Sequence, residues 1–379
     1  MGAAVESWLV DDLRGDARAA PHAISLKLDK LSRDAFSFFR GTLTEYVRQL
    51  QAELRGPLAA PQGLITGDLH LENFGTYLDE RAQVSFDFND FDEVTRAPLC
   101  IDLRRLAASA ALVAGGEAGA RAVLDGLRRG AALPLDAPLE LPATVRALMR
   151  RSACAERRAF LAEATHRQGG AHKLTLGPML HPPPRALSRA LDASLARLSP
   201  RSSVLDAAHR LAGNGSLGRR RYLALVAGLD RSPVILDLKE PRPSPWGAVS
   251  RLLGERQRAR QVERAARALR RTSEKILGTA RLHGRLFQLR EHSPHGMKLK
   301  VAELTPAERL TYAGFTGALL ARGWRRAGAP VHGLVAALDG GGERALVAWA
   351  CADAARIDSQ FERFLKHRAR IARHLALQP

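Results

Sequence analysis

The sequence has few cysteines, few aromatic residues and no long apolar run, and each shortage excludes a class of protein. The three cysteines, Cys100, Cys154 and Cys351, are far apart and form no CxxC pair, so neither a zinc knuckle nor a disulfide framework is indicated. The longest apolar stretch, residues 106–115, is too short to cross a bilayer, and the acidic N-terminal segment lacks the apolar core of a secretory signal. We therefore expect a cytoplasmic protein without a membrane span.

Acidic residues are scarce relative to basic ones. The chain has 39 Asp and Glu against 58 Lys and Arg, a net charge of +19, and only eight of the basic residues are lysines. This balance favours nucleic acid, an acidic membrane surface or a phosphorylated ligand as a partner. A GC-rich genome also encodes arginine in place of lysine whatever the function, and here the charges are scattered. A basic nucleic-acid-binding protein is therefore a lesser alternative among our hypotheses.

The order of the predicted elements indicates an α+β fold. With 379 residues, 46% of them hydrophobic, the chain is long enough for two lobes. We predict a helix-rich lobe at residues 1–200, a β-rich lobe at 201–300, and helices at 301–379 that return to the first lobe. Helical spacing predicts helices at residues 35–54, 102–113, 141–164, 187–198, 252–276, 306–327 and 345–375. Alternation and turn signals predict strands at residues 84–88, 221–227, 234–238 and 285–290.

The segments GDLHLENFG (67–75) and FDFNDFDE (86–93) concentrate carboxylate and amide side chains. Asp68 and Asn73 are five residues apart, and Asp87 follows in a predicted strand. This spacing suits metal-assisted phosphoryl transfer, in which one carboxylate accepts the proton of the nucleophile while an amide oxygen and a second carboxylate hold Mg²⁺ against nucleotide phosphates. Alternatively, these residues only form turns. The four acidic residues at 87–93 favour the first interpretation, because carboxylates so close together repel unless a cation lies among them.

A second motif, GNGSLG at residues 213–218, has the GxGxxG pattern, which fits two folds. In a Rossmann site it follows an apolar parallel strand, with an acidic residue about twenty positions on, and Asp237 lies nineteen after Gly218. In a kinase-type lobe it lies between antiparallel strands and covers phosphates, and a lysine follows on the third strand, as Lys239 does here. The segment before the glycines is too polar for a central parallel strand. We therefore prefer the kinase-type interpretation, with phosphate contacts from Gly213, Gly215, Ser216 and Gly218.

In a kinase-type lobe the lysine orients the phosphates and has an acidic partner on a helix. Glu263, in the middle of the predicted helix at 252–276, is our candidate for the partner of Lys239. Alternatively, Lys239 is a strand-end lysine whose stem covers apolar surface, and Glu263 is a solvated helix charge.

These motifs resemble an uncharacterised bacterial family, domain of unknown function 2252. The family pattern reads roughly GDxHxxNFG, then NDFDE, then DxxRLAxS, and this chain has GDLHLENFG, NDFDE at 89–93 and DLRRLAAS at 102–109. The resemblance extends from about residue 35 to residue 323. Near the C-terminus the family usually carries an AHARSGD-like segment, whereas residues 321–328 read ARGWRRAG.

The first block is also similar to the catalytic loop of aminoglycoside phosphotransferases and other kinase-like enzymes. By that resemblance Asp68 is the catalytic base, and Asn73 and Asp87 are metal ligands. Asp90 is a further ligand candidate, and Asp102 braces the loop. In those enzymes the glycine-rich loop and the lysine precede the catalytic loop, whereas here residues 213–239 follow residues 67–87. The resemblance therefore implies a circularly permuted, protein-kinase-like two-lobe fold.

Our first hypothesis is an ATP- and Mg²⁺-dependent phosphotransferase that acts on a hydroxyl group of a small molecule or a protein. The same motifs allow nucleotidyl transfer as a variant. The second hypothesis is a nucleotide-binding pseudokinase, because Thr66 stands where related enzymes usually have His and the segment 321–328 is altered. A Rossmann dehydrogenase is a minor hypothesis that leaves GDLHLENFG unexplained.

Overall fold

The chain folds into bundled helices and several separate antiparallel sheets. The structure is a computed structural model that describes residues 5–19, 21–53, 59–183, 187–198, 203–211, 220–227, 233–241, 244–248 and 257–376. It is 56% helical and 20% strand, which confirms the predicted α+β class. No described helix has both the length and the apolar character that a membrane crossing needs.

The helices and strands alternate irregularly along the chain. The helices are α1 (Val5–Ala19), α2 (Pro21–Leu31), α3 (Ala35–Gly41), α4 (Leu43–Glu53), α5 (Cys100–Val113), α6 (Glu117–Ala132), α7 (Ala143–Ala153), α8 (Arg157–Ala164), α9 (Leu187–Leu198), α10 (Arg258–Leu269), α11 (Pro306–Arg326), α12 (Val331–Ala337) and α13 (Glu343–His374). The strands are β1 (Gln62–Ile65), β2 (Phe74–Leu78), β3 (Val84–Phe88), β4 (Thr95–Pro98), β5 (Thr165–Gln168), β6 (Ala171–Leu174), β7 (Leu180–His181), β8 (Ser203–Arg210), β9 (Arg221–Ala227), β10 (Pro233–Lys239), β11 (Leu277–Leu282) and β12 (Arg285–Glu291).

Helix α5 lies at the centre of the main core and is buried along nearly its whole length. Helices α6 and α11 pack beside it with their backbones in contact. A Cβ atom on Gly126 of α6 would lie 1.8 Å from the Gly314 carbonyl oxygen, and one on Gly317 of α11 would lie 2.1 Å from the Val123 carbonyl oxygen. Only glycine allows so close an approach, so these positions fix how near α11 comes to α6.

The largest sheet has six antiparallel strands in the order β11-β12-β10-β9-β8-β7. One face packs through Leu236 and Leu238 against α9. On the opposite face, Ile235 lies in a small apolar cluster, while Asp237 and Lys239 at the end of β10 line a cleft. Because alternate residues of a strand share a face, β10 has an apolar side and a side that becomes charged toward its end.

The structure confirms the predicted strands β3, β9, β10 and β12 and divides two of the predicted helices. Residues 35–54 form α3 and α4, separated at Thr42, and residues 141–164 form α7 and α8, separated by residues 154–156. The Rossmann interpretation of GNGSLG is wrong, because the strands on either side of it, β8 and β9, are antiparallel neighbours. A Rossmann unit requires a strand followed by a helix and a parallel strand.

The backbone contact between α6 and α11 makes a stability prediction. We expect Gly317→Ala to lower the free energy of unfolding by about 1–3 kcal/mol, because the new methyl group must push the helices apart. Gly15→Ala in α1 is the matched control, since a Cβ atom there meets nothing within 4 Å. The control should be neutral or stabilising by up to about 1 kcal/mol, the usual preference of a helix for alanine over glycine. Urea unfolding measures both, and equal stability of the two variants would contradict the packing.

Candidate active site

A cleft of about 700 Å³ lies between the six-stranded sheet and the loops at residues 66–73 and 89–93. Helix α10 and the segment that follows β12 also line it. Nine acidic and eight basic side chains face the cleft, so its charge is balanced although the whole chain carries +19. Of the predicted site residues, those that line it are Asp68, Asn73, Asp90, Lys239 and Glu263.

Asp102, at the start of α5, holds the loop before Asp68 in place. Its carboxylate accepts hydrogen bonds from the Thr66 amide at 2.7 Å, the Thr66 hydroxyl at 3.0 Å and the Gly67 amide at 2.9 Å. Complete burial raises the pKa of Asp102 to about 6, and these hydrogen bonds oppose the rise. Gly67 adopts a φ of +79°, and a side chain there would also collide with the Glu93 carbonyl. The backbone conformation of the loop is therefore tightly restricted, and Thr66 is a direct hydrogen-bond partner of Asp102.

Arg105, one turn further along α5, holds the carboxylate of Asp68. Its Nε donates to Asp68 Oδ1 at 2.7 Å, and its Nη2 lies 2.5 Å from the same oxygen. The guanidinium is fully buried, with its centre 4.0 Å from the Phe39 ring centroid and 4.5 Å from that of Tyr46. Stacking between rings fixes the plane of the guanidinium. Asp68 is thus held through Oδ1, and its side chain keeps 25% of its surface accessible.

The electrostatic surroundings of Asp68 favour its protonated form at mildly acidic pH. Enclosure by the protein raises the pKa of Asp68 to about 7, Asp90 and Glu93 contribute in the same direction, and Arg105 opposes them. A carboxyl group with a pKa near neutrality can accept and release a proton at physiological pH.

Asn73 and Asp90 offer oxygen atoms on the same side of the cleft as Asp68. The Asn73 amide nitrogen donates to the Asp68 backbone carbonyl at 2.5 Å, which leaves its side-chain oxygen for another partner. Oxygen ligands of this kind suit a hard cation such as Mg²⁺, which is usually bound by one or two carboxylates and by substrate phosphates. Within the described ranges, no three His, Cys, Asp or Glu side chains are arranged to hold a metal by themselves. These residues therefore fit Mg²⁺ that arrives with a phosphate ligand.

Asp87 is not among the residues that line the cleft, in contrast to our expectation that it binds the metal. Its Oδ1 accepts from the Phe88 amide, and its Oδ2 accepts from the Arg271 amide at 2.9 Å and from the Arg326 guanidinium at 3.2 Å. The carboxylate is buried, and both oxygens are engaged within the protein. Asp87 lies on the face of β3 opposite to Phe86 and Phe88, and on that face it meets Arg271 and Arg326.

Three arginines outside the sequence motifs hold the backbone of the acidic loop. Arg258 donates to the carbonyls of Asp92 and Val94, at 2.7 and 2.6 Å. Arg270 donates to the Phe88 carbonyl at 2.6 Å, and Arg290 donates to the Asn89 carbonyl at 3.0 Å. No sequence motif marks these contacts, because they join residues more than 160 positions apart. The arginines bind the backbone carbonyls of the loop, while its acidic side chains face the cleft.

Lys239 reaches across the cleft from β10 to Asp92 and forms an ion pair with it. The expected partner, Glu263, instead contacts Arg267 one helical turn away, at 3.2 Å. Glu263 still lines the cleft, but the acidic loop is nearer to the lysine than α10 is. On the same face of the sheet, Asp237 accepts from the guanidinium of Arg221.

The glycine-rich residues Gly213, Gly215, Ser216 and Gly218 lie outside the described residues, so the structure does not test their predicted phosphate contacts.

Comparison with known proteins identifies the family of the chain. No curated protein and no solved structure matches the chain. The family model DUF2252, described as an uncharacterized protein conserved in bacteria, matches residues 18–127 and 136–367. The matched ranges include both acidic segments of the cleft and the turn of α5 behind them. Because the match covers most of its length, the chain belongs to the DUF2252 family.

Proposed function

We propose that the chain is an ATP- and Mg²⁺-dependent phosphotransferase that acts on a hydroxyl group. The observation that carries the proposal is the convergence of three distant segments on one cleft. Asp68 and Asn73, then Asp90, and finally Lys239 all line it, although Lys239 lies 147 residues beyond its contact Asp92. A base, oxygen ligands for a metal and a phosphate-binding lysine are the components that phosphoryl transfer requires.

Each group has a role that its position supports. Asp68 accepts the proton of the acceptor hydroxyl through Oδ2, since Arg105 occupies Oδ1. The side-chain oxygens of Asn73 and Asp90 would hold Mg²⁺, which would neutralise phosphate charge. Lys239 would exchange its contact with Asp92 for the nucleotide phosphates. Catalysis then rests on positioning and charge neutralisation.

The proposal includes a circularly permuted, kinase-like arrangement of two lobes. Its support is the position of the glycine-rich segment between the antiparallel strands β8 and β9, with Lys239 at the end of the next strand, β10. These strands follow the catalytic segment in the chain, whereas kinases place them before it. Permutation preserves such a site, because the groups meet in space and not in sequence.

The first prediction concerns the base. We expect Asp68→Asn to reduce Mg²⁺-dependent ATP turnover by about 10²–10⁴-fold, the usual contribution of general-base catalysis, while ATP binding is retained. Turnover is measured as release of labelled phosphate or its transfer to the protein, and binding by calorimetry. Asp125→Asn, an exposed position on α6, is the matched control and should behave as wild type. ATP binding without turnover in the wild-type protein would instead indicate a pseudokinase.

The second prediction distinguishes the two candidate metal ligands. Asp90→Asn should weaken Mg²⁺-dependent ATP binding about tenfold or more and leave stability nearly unchanged, because Asp90 faces the cleft. Asp87→Asn should lower the free energy of unfolding by about 1–3 kcal/mol, because it removes the buried negative charge that forms an ion pair with Arg326. Calorimetry and urea unfolding of both variants provide the comparison. If Asp87→Asn alone lost the Mg²⁺ dependence of ATP binding, Asp87 and not Asp90 would be the metal ligand.

The third prediction is a pH dependence. Because Asp68 must be ionised to accept a proton and its pKa is raised to about 7, kcat/KM for ATP should fall as pH drops below about 7 and level off above it. The remaining activity of Asp68→Asn should lack this limb. A wild-type profile that stays flat from pH 5.5 to 8 would contradict the role of Asp68.

A further inference from the structure

Lys298 follows β12 in a segment that is attached firmly to the catalytic side of the cleft. The Thr76 amide donates to the Met297 carbonyl at 2.8 Å, and the Met297 amide donates back to the Thr76 hydroxyl at 2.9 Å. The Val301 amide donates to Glu72 Oε1 at 3.1 Å. These hydrogen bonds hold the backbone on both sides of Lys298 against strand β2 and the loop that carries Asn73.

The side chain of Lys298 is directed along this wall into the cleft. Its stem passes Gly75 so closely that a Cβ atom there would lie 3.3 Å from Lys298 Cγ. The side chain lines the cleft and has an exposed surface. In the part of the chain that the structure describes, Lys298 forms neither a hydrogen bond nor an ion pair.

More positive than negative side chains act on Lys298, so an anion bound beside it would be stabilised. Enclosure in the cleft lowers the pKa of Lys298, and Asp90 opposes this shift. The positive charges of Arg40, Arg290 and Lys239 lower the pKa further. The three cationic neighbours already have acidic partners, as in the pair of Arg40 with Glu72. Among the described residues, Lys298 is the cation of this group that has no acidic partner to give up before it binds a ligand.

We propose that Lys298 binds the terminal phosphate of a polyphosphate ligand, beside a Mg²⁺ ion held by Asp90 and Asn73. This inference rests on the proposed function and adds a phosphate-binding residue outside the motifs of the sequence. Between Asp68 and Asn73 the catalytic segment has no lysine or arginine. Lys298 supplies a positive charge there from a distant segment, and Lys239 lines the same cleft. Two lysines in one cleft would together neutralise the charge of a phosphate chain.

The test compares Lys298→Met with Lys300→Met. Lys300 is a matched control, because it lies two residues on, is 73% exposed and pairs with Glu303. Calorimetry with Mg²⁺ and inorganic tripolyphosphate, and separately with Mg²⁺ and ATP, should give about ten- to a hundredfold weaker binding for Lys298→Met, the usual effect of losing a charge-assisted contact. Lys300→Met should bind as wild type, and Lys298→Arg should retain most of the affinity.

A labelling measurement on the wild-type protein gives an independent readout. With limiting acetic anhydride, Lys298 should react faster than Lys300, and Mg²⁺ with tripolyphosphate should protect Lys298 and leave Lys300 unprotected, as read by mass spectrometry. Unchanged binding in Lys298→Met together with no protection overturns the role of Lys298, even if the wild type binds ATP and the proposed function stands. Binding of tripolyphosphate through Lys298 without ATP binding or turnover supports the inference and overturns the proposed function. A wild type that binds neither probe overturns both.

Discussion

The candidate site depends on one buried turn of α5, which presents an acidic and a basic side chain to the same loop. Asp102 accepts three hydrogen bonds from Thr66 and Gly67, and Arg105 holds Asp68 immediately after them. A buried charge without a partner is very costly, so each group is stable only with the loop in place. The position of Asp68 is therefore set by the protein core, and residues 66–68 have little freedom to adapt to a ligand.

The rest of the helical core fixes this turn of α5. Arg104, between the two site residues, forms a buried bidentate pair with Asp353 of α13, with both contacts at 2.7 Å. The hydroxyl of Tyr46 donates to the same carboxylate at 3.0 Å, while the Tyr46 ring stacks on Arg105. A rotation of α5 would break both sets of contacts at once. Residues far from the cleft, including the glycines of α6 and α11, thus contribute to the geometry of the site.

The sequence predicted the local elements of the site better than its long-range partners. Strand β3, helix α5 and the grouping of Asp68 with Asn73 follow from local spacing and motif. The partners of Asp87 do not follow from local spacing, since Arg271 and Arg326 lie 184 and 239 residues further along the chain. Strand alternation separates Asp87 from its neighbours, but the motif alone does not indicate which carboxylate of 87–93 faces the cleft. Glu263 was a plausible partner for Lys239 in sequence, and the acidic loop proved to be nearer.

The arginine excess, which first suggested nucleic acid, has a structural use in this protein. Several arginines stabilise the fold: Arg258, Arg270 and Arg290 donate hydrogen bonds to carbonyl oxygens of the acidic loop. A guanidinium suits this role, because its planar set of donors can contact two backbone carbonyls at once and also stack on a ring, as Arg270 does on Tyr77. Arg258 and Arg270 are buried in these positions, so they do not present their charge on the surface to a nucleic-acid backbone.

The balance of charges in the cleft favours a ligand that carries both signs. A bare polyanion would meet nine acidic side chains of the cleft. The cationic neighbours of Lys298 are already paired, Lys239 with Asp92 of the cleft, and Arg40 and Arg290 with carboxylates outside its lining. A phosphate ligand with a bound divalent cation avoids this conflict, because the cation can lie against the carboxylates while the phosphate oxygens lie against the lysines. Charge complementarity of this kind selects the metal complex over the free anion. We therefore expect ligand binding in this cleft to depend on the divalent cation, and not on the net charge of the chain.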